Sequence, residues 1–63
     1  MNLNNILNDR AELIEILTDW DSGQASTADT FYRLRIDPPR SATPEIQRGF
    51  LLFLCHYFYV GLG

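Results

Sequence analysis

The stretch from Phe50 to Gly63 reads FLLFLCHYFYVGLG and contains no Asp, Glu, Lys or Arg. Placed on a helix, Ile46, Phe50, Phe53, Leu54, Tyr57 and Phe58 cover one side, while Leu51, Leu52, Cys55, Tyr59 and Leu62 cover much of the rest. A helix that is apolar around its circumference must be enclosed on all sides or lie in lipid. The chain has 63 residues, enough for one domain that buries about 60% of its unfolded surface. Two other short helices cannot enclose a third completely. Leaving about five of these side chains in water forfeits on the order of 10 kcal/mol, at about 2 kcal/mol each, which rivals the whole stability of a small domain. Part of the run is therefore expected to be covered by a second copy, another protein or a membrane.

Spanning a bilayer fits poorly. Fourteen helical residues reach about 21 Å against a hydrocarbon core of about 30 Å. No Lys or Arg follows the run, and an aromatic-rich segment with Tyr57 and Tyr59 beside His56 suits protein contact or a membrane interface better than a bilayer centre.

Upstream of this run, caps and periodicity predict three helices, over 4–21, 27–36 and 44–60. In the first, the apolar positions are Leu3, Ile6, Leu7, Leu13, Ile14, Ile16, Leu17 and Trp20, and their spacing follows the helical period, with Arg10 interrupting the stripe. Its start is placed at Asn2 or Asn4, with Asp9 and a Glu12 capping-box partner as the alternative. Gly23 suits the residue just past its end. Asp19 and Asp21 lie at the negative end of its dipole, unfavourable by about 0.3–1 kcal/mol each, and are read as a tolerated solvent-exposed turn. In the second segment, Ser26 and Asp29 resemble a capping box, whereas Tyr32, Leu34 and Ile36 alternate with Arg33 and Arg35 like a strand. The helix is preferred because a lone strand has no partner, and Asp37-Pro38-Pro39 ends it. The third has the strongest start, Thr43 as N-cap with Pro44 at the first helical position and Glu45 in the first turn. The expected architecture is a single all-α domain over 1–63, a small bundle of about three helices completed by self-association or a partner.

Composition excludes several function classes. One Cys leaves no internal disulfide, and one Cys with one His cannot build a Cys/His zinc site. A net charge of −3, with five Arg and no Lys, argues against a general nucleic-acid binder. The first residues lack a basic segment, an unbroken apolar run and a small-residue cleavage site, so a cytoplasmic location is expected, with membrane association as the alternative.

Candidate chemistry is sparse. His56 is read as a core or interface histidine rather than a lone axial ligand. Cys55 and His56 point about 100° apart on a helix, and burial would raise the thiol pKa and make it inert. Asp9, Glu12, Glu15 and Asp19 fall along one side of the first helix and are read as a solvated face. Arg33, Arg35 and Arg40 are expected to pair with those acids, within the chain or across a dimer. No glycine-rich phosphate loop, G-x-S-x-G or H-E-x-x-H occurs.

The function expected from the sequence is that of a small non-enzymatic interaction module, a regulator, an inhibitor or a small subunit of a larger assembly. Its partner would be another protein or a second copy, with no cofactor, metal or nucleic acid. Docking would use Phe50, Phe53, Leu54, Tyr57 and Phe58, with charged contacts through Glu12, Glu15, Arg33 and Arg35. The alternative is a membrane-associated protein whose C-terminal segment inserts at the interface. A further expectation is that the chain is part of a longer product whose remainder covers the apolar run.

Overall fold

The computed structural model describes residues 7–38 and 40–61. They form three helices, α1 (Arg10–Asp21), α2 (Thr27–Leu34) and α3 (Pro44–Tyr57), with no strand among the described residues. The all-α bundle expected from the sequence is the fold observed.

Each helix begins where a short polar side chain meets free backbone N–H groups. The Asp9 carboxylate accepts from the N–H groups of Ala11 at 3.0 Å and Glu12 at 3.3 Å. The Ser26 hydroxyl accepts from Asp29 N–H at 3.1 Å, and the Thr43 hydroxyl from Ile46 N–H at 3.2 Å, with Pro44 following. Caps of this kind contribute about 1 kcal/mol each. The earlier starts at Asn2 and Asn4 lie outside the described residues. Leu7 to Asp9 are not helical, so the extension of the first helix back to residue 4 gives way to the Asp9 cap.

The helix ends share one motif. After α1, Gly23 N–H donates to Trp20 C=O and Gln24 N–H to Asp19 C=O; after α2, Arg35 donates to Tyr32 and Ile36 to Phe31; after α3, Tyr59 donates to His56 and Val60 to Cys55. This paired reverse bonding satisfies the last carbonyls and needs a left-handed residue at the turn. Gly23 takes φ 83° at little cost, but Arg35 (φ 62°) and Tyr59 (φ 61°) are not glycine and store about 1–2 kcal/mol each. What offsets the strain is the next residue. Ile36 and Val60 are both buried in the core, beside the buried Phe31 and Cys55 whose carbonyls they bond. The sequence placed the ends of these two helices, α2 and α3, at 36 and 60. The helices stop at Leu34 and Tyr57, and Ile36 and Val60 enter the core from the turn instead.

The core draws on all three helices: Leu13, Ile16 and Leu17 from α1, Phe31 and Leu34 from α2, and Leu51, Leu54 and Cys55 from α3, joined by Ile36 and Val60. On α1 the inward set continues at i+7 to Trp20, whose indole N–H donates to the Thr27 hydroxyl at 3.0 Å and ties the α1–α2 turn. Arg10 does not break the apolar stripe. Its guanidinium lies over the Phe58 ring, 5.8 Å from the centroid, a cation–π contact worth about 0.5–1 kcal/mol at an exposed site.

Asp19 is not merely part of a solvent-exposed turn, and the expected pairing of Arg33 with an acid of α1 is observed here. The Asp19 carboxylate accepts from Arg33 Nη1 at 3.1 Å, so an acid placed against the helix dipole marks a tertiary contact between α1 and α2. Both side chains are about a third exposed, which limits the pair to under about 1 kcal/mol. Asp21 also faces the chain. A Cβ on Gly61, where φ is 75°, would come within 2.6 Å of its Oδ2, so this carboxylate packs against the turn that follows α3.

Candidate docking face on α3

The third helix has two unlike sides. Leu51, Leu54 and Cys55 point into the bundle. Opposite them, Ile46 (56% exposed), Phe53 (56%) and Tyr57 (66%) stand in solvent. Their spacing of i, i+7 and i+11 brings them onto one line along the helix, and Phe50, at i+4, lies on the same line. Phe50 is half-buried because its ring stacks on Phe31 of α2, with centroids 5.8 Å apart and planes at 18°. Phe53 and Tyr57 pack against each other at 6.1 Å, and Tyr57 meets Phe58 edge-on at 4.9 Å. The result is a ridge of aromatic and aliphatic groups held side by side by their own contacts.

The five residues expected to dock do not act as one surface. Phe53 and Tyr57 are outward, Phe50 is at the edge, and Leu54 and Phe58 turn inward, Leu54 into the core and Phe58 to a half-buried position against it. The sequence reading omitted Ile46 from the docking set, although it lies four residues before Phe50 and seven before Phe53 and so continues their line. Gly49 lies between Ile46 and Phe50 on this exposed side, and a Cβ there would meet nothing within 4 Å.

His56 is exposed on α3 rather than enclosed in the core, next to the ridge and on the same flank as Glu45. Cys55 is buried and free. Desolvation pushes its thiol above the ordinary range, and the nearby Asp21 charge adds to the shift, so the thiolate that nucleophilic chemistry requires is disfavoured.

The remaining predicted contacts are dispersed. Glu12, Glu15 and Arg35 are exposed, and Arg33 is engaged with Asp19. On the other side of α3 an open cleft of about 350 Å³ lies between Trp20, Asp21, Ser26, Thr27, Arg48 and Leu52. Its lining brings together one acid and one Arg without a nucleophile–base pair. Among the described residues no three His, Cys, Asp or Glu side chains are grouped to hold a metal ion, and no helix is long and apolar enough to cross a membrane. No known protein family, curated protein or solved structure matches this chain.

Proposed function

We propose that this chain is a small non-enzymatic interaction module that docks on protein through the outer face of α3. The observation that carries this reading is the uncharged ridge of Ile46, Phe53 and Tyr57, each more than half exposed, with Phe50 at its edge. Single exposed apolar residues are common on any protein, whereas a contiguous set on one rigid element is the feature of contact surfaces. Aromatic side chains anchor such contacts because they bury large areas with few rotatable bonds. The ridge belongs to a helix already fixed by the core, so docking requires little ordering of the backbone, which favours helix-in-groove recognition.

The arrangement of charge supports a protein rather than a lipid surface. Interfacial helices present Lys and Arg around their apolar face. Here the chain is acidic overall, with no Lys, and Arg48 is the basic residue of α3 apart from His56.

The test is site-specific photo-crosslinking, with the crosslinking side chain placed at Phe53 or, as a control, at the exposed Glu12 of α1. Irradiation of the purified chain and of the chain in extract from its own source should give one defined protein adduct from position 53 and none from position 12. Adducts confined to lipid, or equal labelling from both positions, overturn the reading.

A further inference from the structure

We propose that the occupant of this ridge is a second copy of the same chain, with the two α3 helices packed antiparallel about a twofold axis. This rests on the reading of α3 as a docking face and names its partner.

The first support is the spacing along the ridge. Ile46, Phe50, Phe53 and Tyr57 are spaced by four, three and four residues. That pattern reads the same in both directions, so a twofold contact, in which residue i meets j and j meets i, sets apolar positions against apolar positions. With the axis passing midway between Phe50 and Phe53, Ile46 lies level with Tyr57 of the other copy, and Phe50 with Phe53.

The second support is Gly49. In helix packing a side chain inserts among four residues at i, i+3, i+4 and i+7 of the facing helix. In this register the Phe53 ring of the second copy enters the space bounded by Ile46, Gly49, Phe50 and Phe53. A small wall lets a phenyl ring enter such a space at close helix separation. Glycine inside a helix costs about 1 kcal/mol relative to alanine, and nothing within the chain approaches the place where its Cβ would be. Packing within one copy therefore leaves this glycine without a role, and close approach of a second helix supplies one.

The third support is donor–acceptor complementarity. Glu45 and His56 lie on the same exposed flank of α3, eleven residues apart, or about 17 Å along the axis, too far to meet within one chain. The antiparallel register brings Glu45 of one copy to within about one helical turn of His56 of the other, and the symmetry makes two such pairs. The carboxylate accepts from the imidazole N–H at each end of that one flank of the contact.

The size of the surface sets the strength. A helix pair about 17 Å long covers on the order of 400 Å² on each copy, below the range of stable complexes. The dimer is thus a weak one, with half-association at roughly 10 μM to 1 mM.

Sedimentation equilibrium of the purified full chain from about 5 μM to 1 mM tests this directly. The wild type should pass from monomer to dimer. Gly49→Leu fills the space for the ring and should remain monomeric throughout, with its helical circular dichroism retained. Glu45→Lys alone should weaken association about three- to tenfold, and Glu45→Lys combined with His56→Glu should restore it. A wild type that is monomeric at 1 mM overturns the proposal, as does a dimer that survives Gly49→Leu unchanged. If the purified chain stays monomeric while the crosslinker at Phe53 still captures a single different protein, the self-association falls and the docking reading stands. If no adduct forms from Phe53, both fall.

Discussion

The inner and outer faces of α3 are built from similar residues and do different things. Leu51, Leu54 and Cys55 face α1 and α2 and are buried, while Ile46, Phe53 and Tyr57, equally uncharged, face water. On the inner side every side chain has neighbours from other helices. On the outer side the neighbours come mainly from α3 itself, as in the Phe53–Tyr57 contact. Hydrophobicity at a position therefore does not say whether it contributes to the fold. The contribution depends on whether a second element stands opposite, and for this chain two short helices supply an opposite wall along one side only.

The largest test of that difference is a pair of truncations. Leu51 is fully buried, and Leu51→Ala should cost about 2–5 kcal/mol in chemical denaturation through lost transfer energy and an unfilled cavity. Phe53→Ala, measured at low micromolar concentration, should cost less than about 1 kcal/mol, because its ring is already half in water. Equal losses would mean that the outer ridge is part of the folding core.

A smaller effect is expected where the inner face continues beyond the helix. Tyr59 turns through the left-handed region so that Val60 can enter the core. Tyr59→Gly removes the steric cost of that conformation and should raise stability by about 0.5–1 kcal/mol after the added freedom of the unfolded chain is counted. A loss of stability on this change would show that the Tyr59 side chain contributes packing that outweighs its strain.

The smallest effect concerns Cys55 and reads as a slope with pH. Burial, and then the Asp21 charge, raise the folded-state thiol pKa above its ordinary value near 9.0. The unfolded thiol then ionises first, the unfolded state holds fewer protons, and stability declines as pH rises past the unfolded value. Between about pH 8 and about pH 10 the melting temperature of the wild type should fall more steeply than that of Cys55→Ala. Parallel curves would indicate a thiol in contact with solvent.

The starts of α2 and α3 and the inward stripe of α1 were legible in the residues themselves, whereas Asp9 stood only as the alternative start of α1. Asp9, Ser26 and Thr43 cap by reaching an N–H group two or three positions away, an interaction that any nearby chain geometry permits. Leu13, Ile16, Leu17 and Trp20 repeat with the helical period against polar neighbours, so only one side of α1 was available for burial. The exposed ridge was legible in part. Phe53 and Tyr57 were recognised, but Leu54 and Phe58 were grouped with them because α3 offered too little contrast in hydropathy to orient the helix.

What the sequence by itself determined is a set of local interactions. Three caps start three helices, Gly23 closes the first, and a C-terminal run is too apolar for two short helices to cover. Tertiary structure decided which side of that run is covered. It also turned Ile36 and Val60 into the core from beyond their helices, and it joined Asp19 to Arg33 across fourteen residues of chain. These outcomes share a physical reason. A cap is an energy between atoms a few bonds apart, whereas burial and a long-range ion pair are energies between elements, and their values exist only once all three helices have been placed.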